Sequence, residues 1–256
     1  MLILLPPSET KRDGGSGKPV NLAALAWPEQ TDARRAVMTA LVALASDEAE
    51  CARVLKLSPK QLDEVGRNRE LASVPTMPAI DRFTGTLYDA LDAASLPATA
   101  RKFASKHVAI GSACFGLVRA LDCIPAYRLS FDSKLPGLGA TLKKHWSEVG
   151  AAALAGEKRF VLDARSEGYA ALAPLSQVAN WIYLRVVTRG EGGVLRALNH
   201  FNKKGKGEFV RALCLDSPQA SRIRSVADLL SWASENGWEM ELGAPGEVNL
   251  VVSGVL

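Results

Sequence analysis

The sequence contains no run of about 18 apolar residues, the length that a membrane-spanning helix needs. The first residues, Met1–Pro7, carry no basic segment, and their apolar stretch is too short for a signal peptide. These two absences predict a protein that is made and kept in the cytoplasm and has no membrane partner.

Cysteine and histidine are scarce, with 4 Cys and 3 His in 256 residues. The cysteines lie far apart and form no Cys-x-x-Cys pair, which favours reduced, mostly buried thiols over a disulfide framework or a zinc site. The histidines are also widely spaced, and no pattern of two histidines and a carboxylate is present. We therefore predict no metal site and no cofactor.

The hydrophobic fraction is 48% and the charged fraction is 23%, both close to the averages of globular proteins. The chain is therefore neither disordered nor fibrous, and it is long enough to bury a large core. No internal repeat and no long linker divides it. We expect one domain over residues 1–256.

The basic character of the chain is local. The formal net charge is +4, and the window from Arg196 to Arg211 alone holds five basic residues and one acid, so the rest of the chain sums to zero. A concentrated basic site indicates an anionic partner more strongly than a diffuse one does.

Apolar runs and helical periodicities alternate along the chain. They predict the α+β (mixed α/β) class, with a mixed sheet flanked by helices. The clearest predicted strands are Leu2–Leu5, Phe160–Asp163 and Trp181–Val187, with a hairpin over Trp238–Leu242 and Val248–Val252. The clearest predicted helices cover residues 31–45, Leu138–Ala155, Glu208–Leu215 and Val226–Glu235. The segment Leu117–Asp122 also has a helical pattern.

Several predicted strands are followed by polar groups, and ligands bind at strand ends in open sheets of this kind. If these ends converge, they form a positively charged cleft suited to phosphate or another anion. Its members would be Lys11, Arg128, Arg165, Lys203 and Lys206, set against Glu9 and Asp163.

The segment Asn202-Lys203-Lys204-Gly205-Lys206-Gly207 combines flexible glycines with three lysines ahead of an apolar helix. We interpret it as a basic loop whose amides, ammonium groups and helix N-terminus bind phosphate. A solvated run of charge is the alternative.

Five residues could carry catalysis: Asp163 as a base, Tyr169 as an acid, and Arg165, Ser166 and His200 beside them. An Asp–Arg pair that closes a loop explains the first cluster equally well. For His200, phosphate contact, general acid catalysis and strand packing all stay open.

Residues 49–72 predict two short helices joined by a tight turn at Lys56-Leu57-Ser58, with a capping box at Ser58. The second helix is basic at Lys60 and Arg67. The pair fits either a helix-hairpin-helix element that binds DNA phosphates or an ordinary packed helix pair, and the turn lacks the usual glycines.

Six short motifs stand in a characteristic order along almost the whole chain. They are Met1-Leu2-Ile3-Leu4-Leu5-Pro6-Pro7-Ser8-Glu9, Tyr88-Asp89-Ala90-Leu91, Ser112-Ala113-Cys114-Phe115-Gly116-Leu117-Val118-Arg119-Ala120-Leu121-Asp122, Tyr127-Arg128-Leu129, Asp163-x-Arg165-Ser166-x-x-Tyr169 and Phe201-Asn202-Lys203-Lys204-x-Lys206-Gly207. In these motifs the chain resembles the YaaA family of peroxide stress proteins.

The resemblance implies a cytoplasmic single-domain protein with a positively charged cleft. It also implies binding of double-stranded DNA, and a role in limiting free iron and DNA damage under hydrogen peroxide. The helix-hairpin-helix element would cover residues 49–72, with Ser58, Lys60 and Arg67. The cleft would include Lys11, Arg128, Arg165, Lys203, Lys204 and Lys206. The sequence departs from the family pattern at Ala120, where proline is frequent, and after Ser8.

Two functional hypotheses follow. The first is a DNA-binding stress protein. The second is an enzyme or binding protein that acts on a nucleotide or another small phosphorylated ligand in a strand-end pocket. Aromatic residues are sparse near the predicted basic loop, which disfavours binding of single strands there.

Overall fold

A computed structural model describes residues 1–190, 195–197 and 201–252. Eight strands of this part of the chain form one mixed sheet, in the order β4-β3-β1-β6-β7-β10-β9, with β8 paired to the end of β7. Two short strands, β2 and β5, pair separately. The strands are β1 (Leu2–Leu5), β2 (Met77–Pro78), β3 (Val108–Ser112), β4 (Gly116–Arg119), β5 (Cys123–Ile124), β6 (Val161–Asp163), β7 (Trp181–Arg189), β8 (Leu195–Ala197), β9 (Glu239–Leu242) and β10 (Glu247–Val251).

Helices cover both faces of the sheet. They are α1 (Thr31–Leu44), α2 (Glu48–Leu55), α3 (Asp63–Arg69), α4 (Ala79–Arg82), α5 (Thr86–Leu91), α6 (Ala98–His107), α7 (Leu142–Ala155), α8 (Glu167–Ala170), α9 (Phe201–Leu215), α10 (Ser217–Ala220) and α11 (Val226–Glu235). Short 3₁₀ turns occupy Leu22–Ala24, Pro28–Gln30, Pro59–Gln61 and Ala93–Ser95. No helix in the described ranges is long and apolar enough to cross a membrane.

Strand β1 lies inside the sheet because all four of its residues are apolar and buried. It runs parallel to β3 on one side and to β6 on the other. Ile3 and Leu5 pack into the larger core with α5, α6 and α9, whereas Leu2 and Leu4 pack into a second core with α7. This arrangement confirms the predicted mixed α/β domain.

Strand β4 replaces the helix that the pattern of Leu117–Asp122 predicts, and that prediction is wrong. The hydroxyl of Ser112 accepts hydrogen bonds from the backbone N–H groups of Cys114 and Phe115, at 3.2 and 2.9 Å. Gly116 then adopts φ +64°, a conformation that favours glycine. The chain therefore reverses and pairs antiparallel with β3.

The predicted basic loop is also wrong as a loop, because α9 begins at Phe201 and includes the whole segment. Its two glycines allow close packing of the helix. A Cβ atom on Gly207 would lie 2.1 Å from the carbonyl oxygen of Leu87 in α5, and one on Gly205 would lie 3.1 Å from Val186 in β7. Packing therefore explains these glycines, and flexibility does not.

Candidate functional site

The strand order reverses between β1 and β6. The chain leaves β1 toward β3 on one side of the sheet, and it leaves β6 toward β7 and β10 on the other side. In sheets of this kind, ligands bind in the crevice beyond the carboxyl ends of the two strands at such a switch point. The segment Glu9-Thr10-Lys11 follows β1, and Arg165 and Ser166 follow β6, so two of the predicted polar groups flank this crevice.

Lys11 is buried beneath the turn that follows β1. Its Nζ donates to the backbone carbonyls of Ser8 and Glu9, at 3.0 and 3.1 Å, and lies 4.0 Å from the centre of the Tyr127 ring. Burial lowers the pKa of Lys11 to about 7, and Glu64 partly opposes that shift. The two hydrogen bonds from the amine to the carbonyls of Ser8 and Glu9 hold the turn together.

Arg128 lies beside the same turn. Its guanidinium pairs with the carboxylate of Glu9 at 2.8 Å. The side chain of Asn68 in α3 holds the backbone of Arg128 through two hydrogen bonds, of 2.9 and 2.8 Å. The helix pair α2–α3 is thus joined to the turn after β1 through Arg128, because Asn68 holds the backbone of Arg128 and Glu9 pairs with its guanidinium.

Asp163 and Arg165 form a buried bidentate ion pair at the end of β6. Nε and Nη2 of Arg165 each lie 2.8 Å from a carboxylate oxygen, and the backbone N–H of Arg165 also donates to Asp163. Nη1 donates to the carbonyl of Ala173 at 2.9 Å. Both side chains are almost fully buried, at 3% and 0% exposure. The geometry is that of the loop-closing pair, the alternative to a catalytic cluster.

Ser166 and Tyr169 lie at the short helix α8. Ser166 is exposed at the N-cap position, and its side chain makes no capping hydrogen bond. Tyr169 is buried, with its ring 5.2 Å from that of Phe131 in an edge-to-face contact. Burial and the nearby Glu9 carboxylate raise the pKa of Tyr169, so it keeps its proton.

The α9 residues divide into one buried lysine and an exposed pair. Lys206 is 4% exposed, and its Nζ lies 5.5 Å from the centre of the Tyr183 ring. Burial lowers its pKa to about 8, and the attraction of Asp163 opposes that shift. Lys203 and Lys204 are exposed.

Two other predicted site residues, Asn202 and His200, belong to the sequence at the start of α9 and just before it. Asn202 is half-buried, and its Oδ1 has no hydrogen-bond partner in the described ranges. His200 falls outside the described residues.

The predicted helix pair is present as α2 and α3, which are joined through Lys56 in the left-handed conformation, with φ 55°. Ser58 and Lys60 are exposed at the turn, and Gln61 closes the predicted capping box. Arg67 pairs with Glu64 and with Asp13, at 2.5 and 2.6 Å. The two predicted phosphate-binding cations of this element thus differ in environment: Lys60 faces water, whereas Arg67 binds two carboxylates.

A pocket of about 490 Å³ opens beside the Asp163–Arg165 pair, over β7. Sequence reasoning missed four of its lining residues: Trp181, Tyr183 and Arg185 on β7, and Glu247 on β10. Tyr183 donates its hydroxyl to the carbonyl of Arg165 at 2.8 Å. The alternation of Trp181, Tyr183 and Arg185 along a predicted strand is the signal that could have placed them on one face.

Within residues 1–190, 195–197 and 201–252, no group of three or more His, Cys, Asp and Glu side chains is placed to hold a metal ion. Of the four cysteines, Cys123 is exposed and the other three are buried, and all four are free thiols.

Comparison with known proteins gives the family. A family sequence model described as peroxide stress protein YaaA matches residues 1–241. A UPF0246 protein of Corynebacterium glutamicum (strain R) is 44% identical over 244 residues, which cover 94% of this chain and 95% of the relative. A UPF0246 protein of Streptomyces coelicolor is 40% identical over 252 residues, covering 96% and 94%. A UPF0246 protein of Dinoroseobacter shibae is 30% identical over 218 residues, covering 81% and 79%. The resemblance seen in the motifs is thereby confirmed, and the chain belongs to the peroxide stress protein YaaA (UPF0246) family.

Proposed function

We propose that this chain protects DNA during peroxide stress by binding the phosphates of double-stranded DNA. The binding surface would extend from the turn between α2 and α3, past the end of β1, to the first turns of α9. In cells, the proposed outcome is less oxidative DNA damage and a lower level of free iron under hydrogen peroxide.

The observation that carries the proposal is the pair of hydrogen bonds between Asn68 and the backbone of Arg128. They fix α3 to the segment that follows β5, and the ion pair of Arg128 with Glu9 joins that segment to the turn after β1. A surface that is fixed in this way binds a regular array of phosphates without first losing conformational entropy.

The exposed cations are the proposed phosphate contacts. Lys60 stands at the helix turn with Ser58, and Lys203 and Lys204 stand on the first turn of α9. Lysines in water neutralise phosphates and release the ions condensed on DNA. Lys204 also lies 3.6 Å from the carboxylate of Glu208, an exposed pairing that a phosphate would replace. The buried cations and those paired within the site, namely Lys11, Arg67, Arg128, Arg165 and Lys206, would support this surface from beneath.

The test is the affinity for duplex DNA measured from low to moderate salt. The double variant Lys203→Ala/Lys204→Ala should bind more weakly, and its dependence on salt should be shallower by about two in the log–log slope, one for each lost phosphate contact. The matched control is Lys102→Ala/Lys106→Ala. It removes two exposed lysines from α6, whose end leads into the opposite, amino edge of the sheet.

If the two double variants lose the same affinity for duplex DNA, the lysines act through the overall charge of the protein and not through a localised binding site. Absence of duplex binding by the wild type at low salt would end the proposal. In a host that lacks its own member of the family, the same two variants should separate in survival after hydrogen peroxide, with only the α6 variant protecting like the wild type.

We propose, as a second candidate, an enzyme or binding protein for a nucleotide or another small phosphorylated ligand. The pocket of about 490 Å³ beside Asp163 and Arg165 favours it, because its volume is that of a small-molecule site. Ser166, Tyr169 and His200 would be the further catalytic candidates. A nucleotide library should then contain compounds that raise the melting temperature, and a library without any would contradict this candidate.

A further inference from the structure

Trp181 and Tyr183 line the pocket over β7 and stand on the same face of the strand. Trp181 is 40% exposed, although tryptophan is among the side chains that gain most from burial. Tyr183 is held in place, because its hydroxyl is bonded to the carbonyl of Arg165 and the guanidinium of Arg185 lies 5.5 Å from its ring centre. One wall of the pocket is therefore fixed, and the other is an aromatic ring open to solvent.

The spacing of these two residues suits one flat ring. Alternate residues on a strand are about 6.5–7 Å apart. Two carbon surfaces in van der Waals contact are about 3.5 Å apart, so a single planar ring fits between two side chains at that spacing.

The polar side of the pocket supplies an acceptor. Glu167 lines it with a side chain that is 82% exposed, and among the described residues its one ion pair is a distant contact of 3.8 Å with Arg185. By contrast, Glu247 is bonded to Arg185 at 2.5 and 2.6 Å, and Asp163 is bonded to Arg165. Glu167 is thus the carboxylate that can accept hydrogen bonds from a ligand, and a carboxylate accepts two parallel N–H groups well.

We propose that this pocket binds one nucleobase between Trp181 and Tyr183, and that guanine fits it best because its N1–H and N2–H groups can both donate to Glu167. The assignment deepens the second candidate, the binding of a nucleotide in this pocket, and rests on it. It adds recognition of a base to the contacts with phosphate. A stacked base is worth about 1–3 kcal/mol, which corresponds to about 5- to 150-fold in affinity.

The test uses the nucleoside guanosine, which carries no phosphate, with the full chain. Equilibrium dialysis of labelled guanosine should give saturable binding at up to about 1 mM, with adenosine weaker and ribose not bound. Trp181→Ala should weaken guanosine binding by about 5- to 150-fold, whereas Trp181→Phe should retain most of it. Glu167→Gln should remove the preference for guanosine over adenosine. Leu242→Ala, which trims an exposed apolar side chain from β9, should bind guanosine like the wild type.

Guanosine that fails to bind the wild type, or that binds Trp181→Ala as well as the wild type while circular dichroism shows an intact fold, overturns the inference. The outcome is separable from that of the proposed function. Lys203→Ala/Lys204→Ala should lose affinity for duplex DNA and bind guanosine like the wild type. Trp181→Ala should lose affinity for guanosine and bind regular duplex DNA like the wild type.

Discussion

The side chain of Asn68 binds both backbone groups of Arg128. Its Nδ2 donates to the carbonyl at 2.9 Å, and its Oδ1 accepts from the N–H at 2.8 Å. Asn68 is fully buried. The amide of one side chain therefore does for this extended segment what a neighbouring strand would do, and it attaches α3 to the segment that carries Arg128.

Asn68→Ala should lower the free energy of unfolding by about 2–3 kcal/mol, because two backbone groups lose their partner in a buried place. Urea unfolding measures the change. The control is Asn180→Ala, since that exposed side chain makes one bond to the carbonyl of Arg224, and its loss should cost about 0.5 kcal/mol or less. Equal costs would contradict the role assigned to Asn68.

Asp163→Asn should destabilise the fold by about 3–5 kcal/mol, because it leaves the Arg165 guanidinium buried without its counter-charge. The chain contains a matched pair, Glu157 and Arg159, with the same spacing and the same bidentate geometry, in which the arginine is 34% exposed. Glu157→Gln should cost about 1 kcal/mol or less. Chemical unfolding of the two variants compares them directly, and a larger effect at Glu157 would refute the argument from burial.

Gly207→Ala should destabilise the protein by about 1–3 kcal/mol or more, because the new Cβ would lie 2.1 Å from the carbonyl oxygen of Leu87 and α9 must move away from α5. Gly66 is also a helical glycine, in α3, with open space where a Cβ would stand. Gly66→Ala should stabilise by about 0.5–1 kcal/mol. Melting curves that shift in the same direction for both variants would exclude the packing explanation.

Stability should depend on pH through Lys11. Its pKa is about 7 in the folded protein and takes the unperturbed value of 10.5 in the unfolded chain. Between pH 7 and pH 10.5 the unfolded chain therefore binds more protons than the folded protein does. The free energy of unfolding of the wild type should therefore rise relative to that of Lys11→Met from about pH 7 to about pH 10.5, by up to about 1.4 kcal/mol per pH unit.

Unfolding midpoints in guanidinium chloride at pH 7, 8, 9 and 10 give the slope of that difference. Lys60→Met is the control, because the exposed amine of Lys60 is in water in both states. A wild-type curve that runs parallel to the Lys11→Met curve would show that the amine is not buried as described.

The sequence predicts local structure well where the signals are local. The helix over Val226–Glu235 has both of its predicted bounds, and the hairpin near the end of the described chain is present as β9 and β10. The start of α9 was missed because glycine within a basic run is typical of a loop. Position 207 needs glycine because the helix packs against Leu87, which is far away in the sequence.

The candidate site was predictable only in outline. The ends of β1 and β6 do lie side by side, as the pattern of strand then polar residues indicated. Which cations would be paired could not be read from the chain, because Arg128 pairs with Glu9 across more than a hundred residues. For the same reason, a segment that predicts phosphate binding can contain a buried lysine such as Lys206 next to exposed ones.

The position of β1 inside the sheet has a consequence for synthesis on the ribosome. Ile3 pairs with Val108 and Leu162, so the strand precedes both neighbours by more than a hundred residues. Translation at about 5–20 residues per second leaves this apolar strand without partners for several seconds or longer. Until the later strands emerge, Leu2–Leu5 is therefore an apolar segment that can associate with other chains.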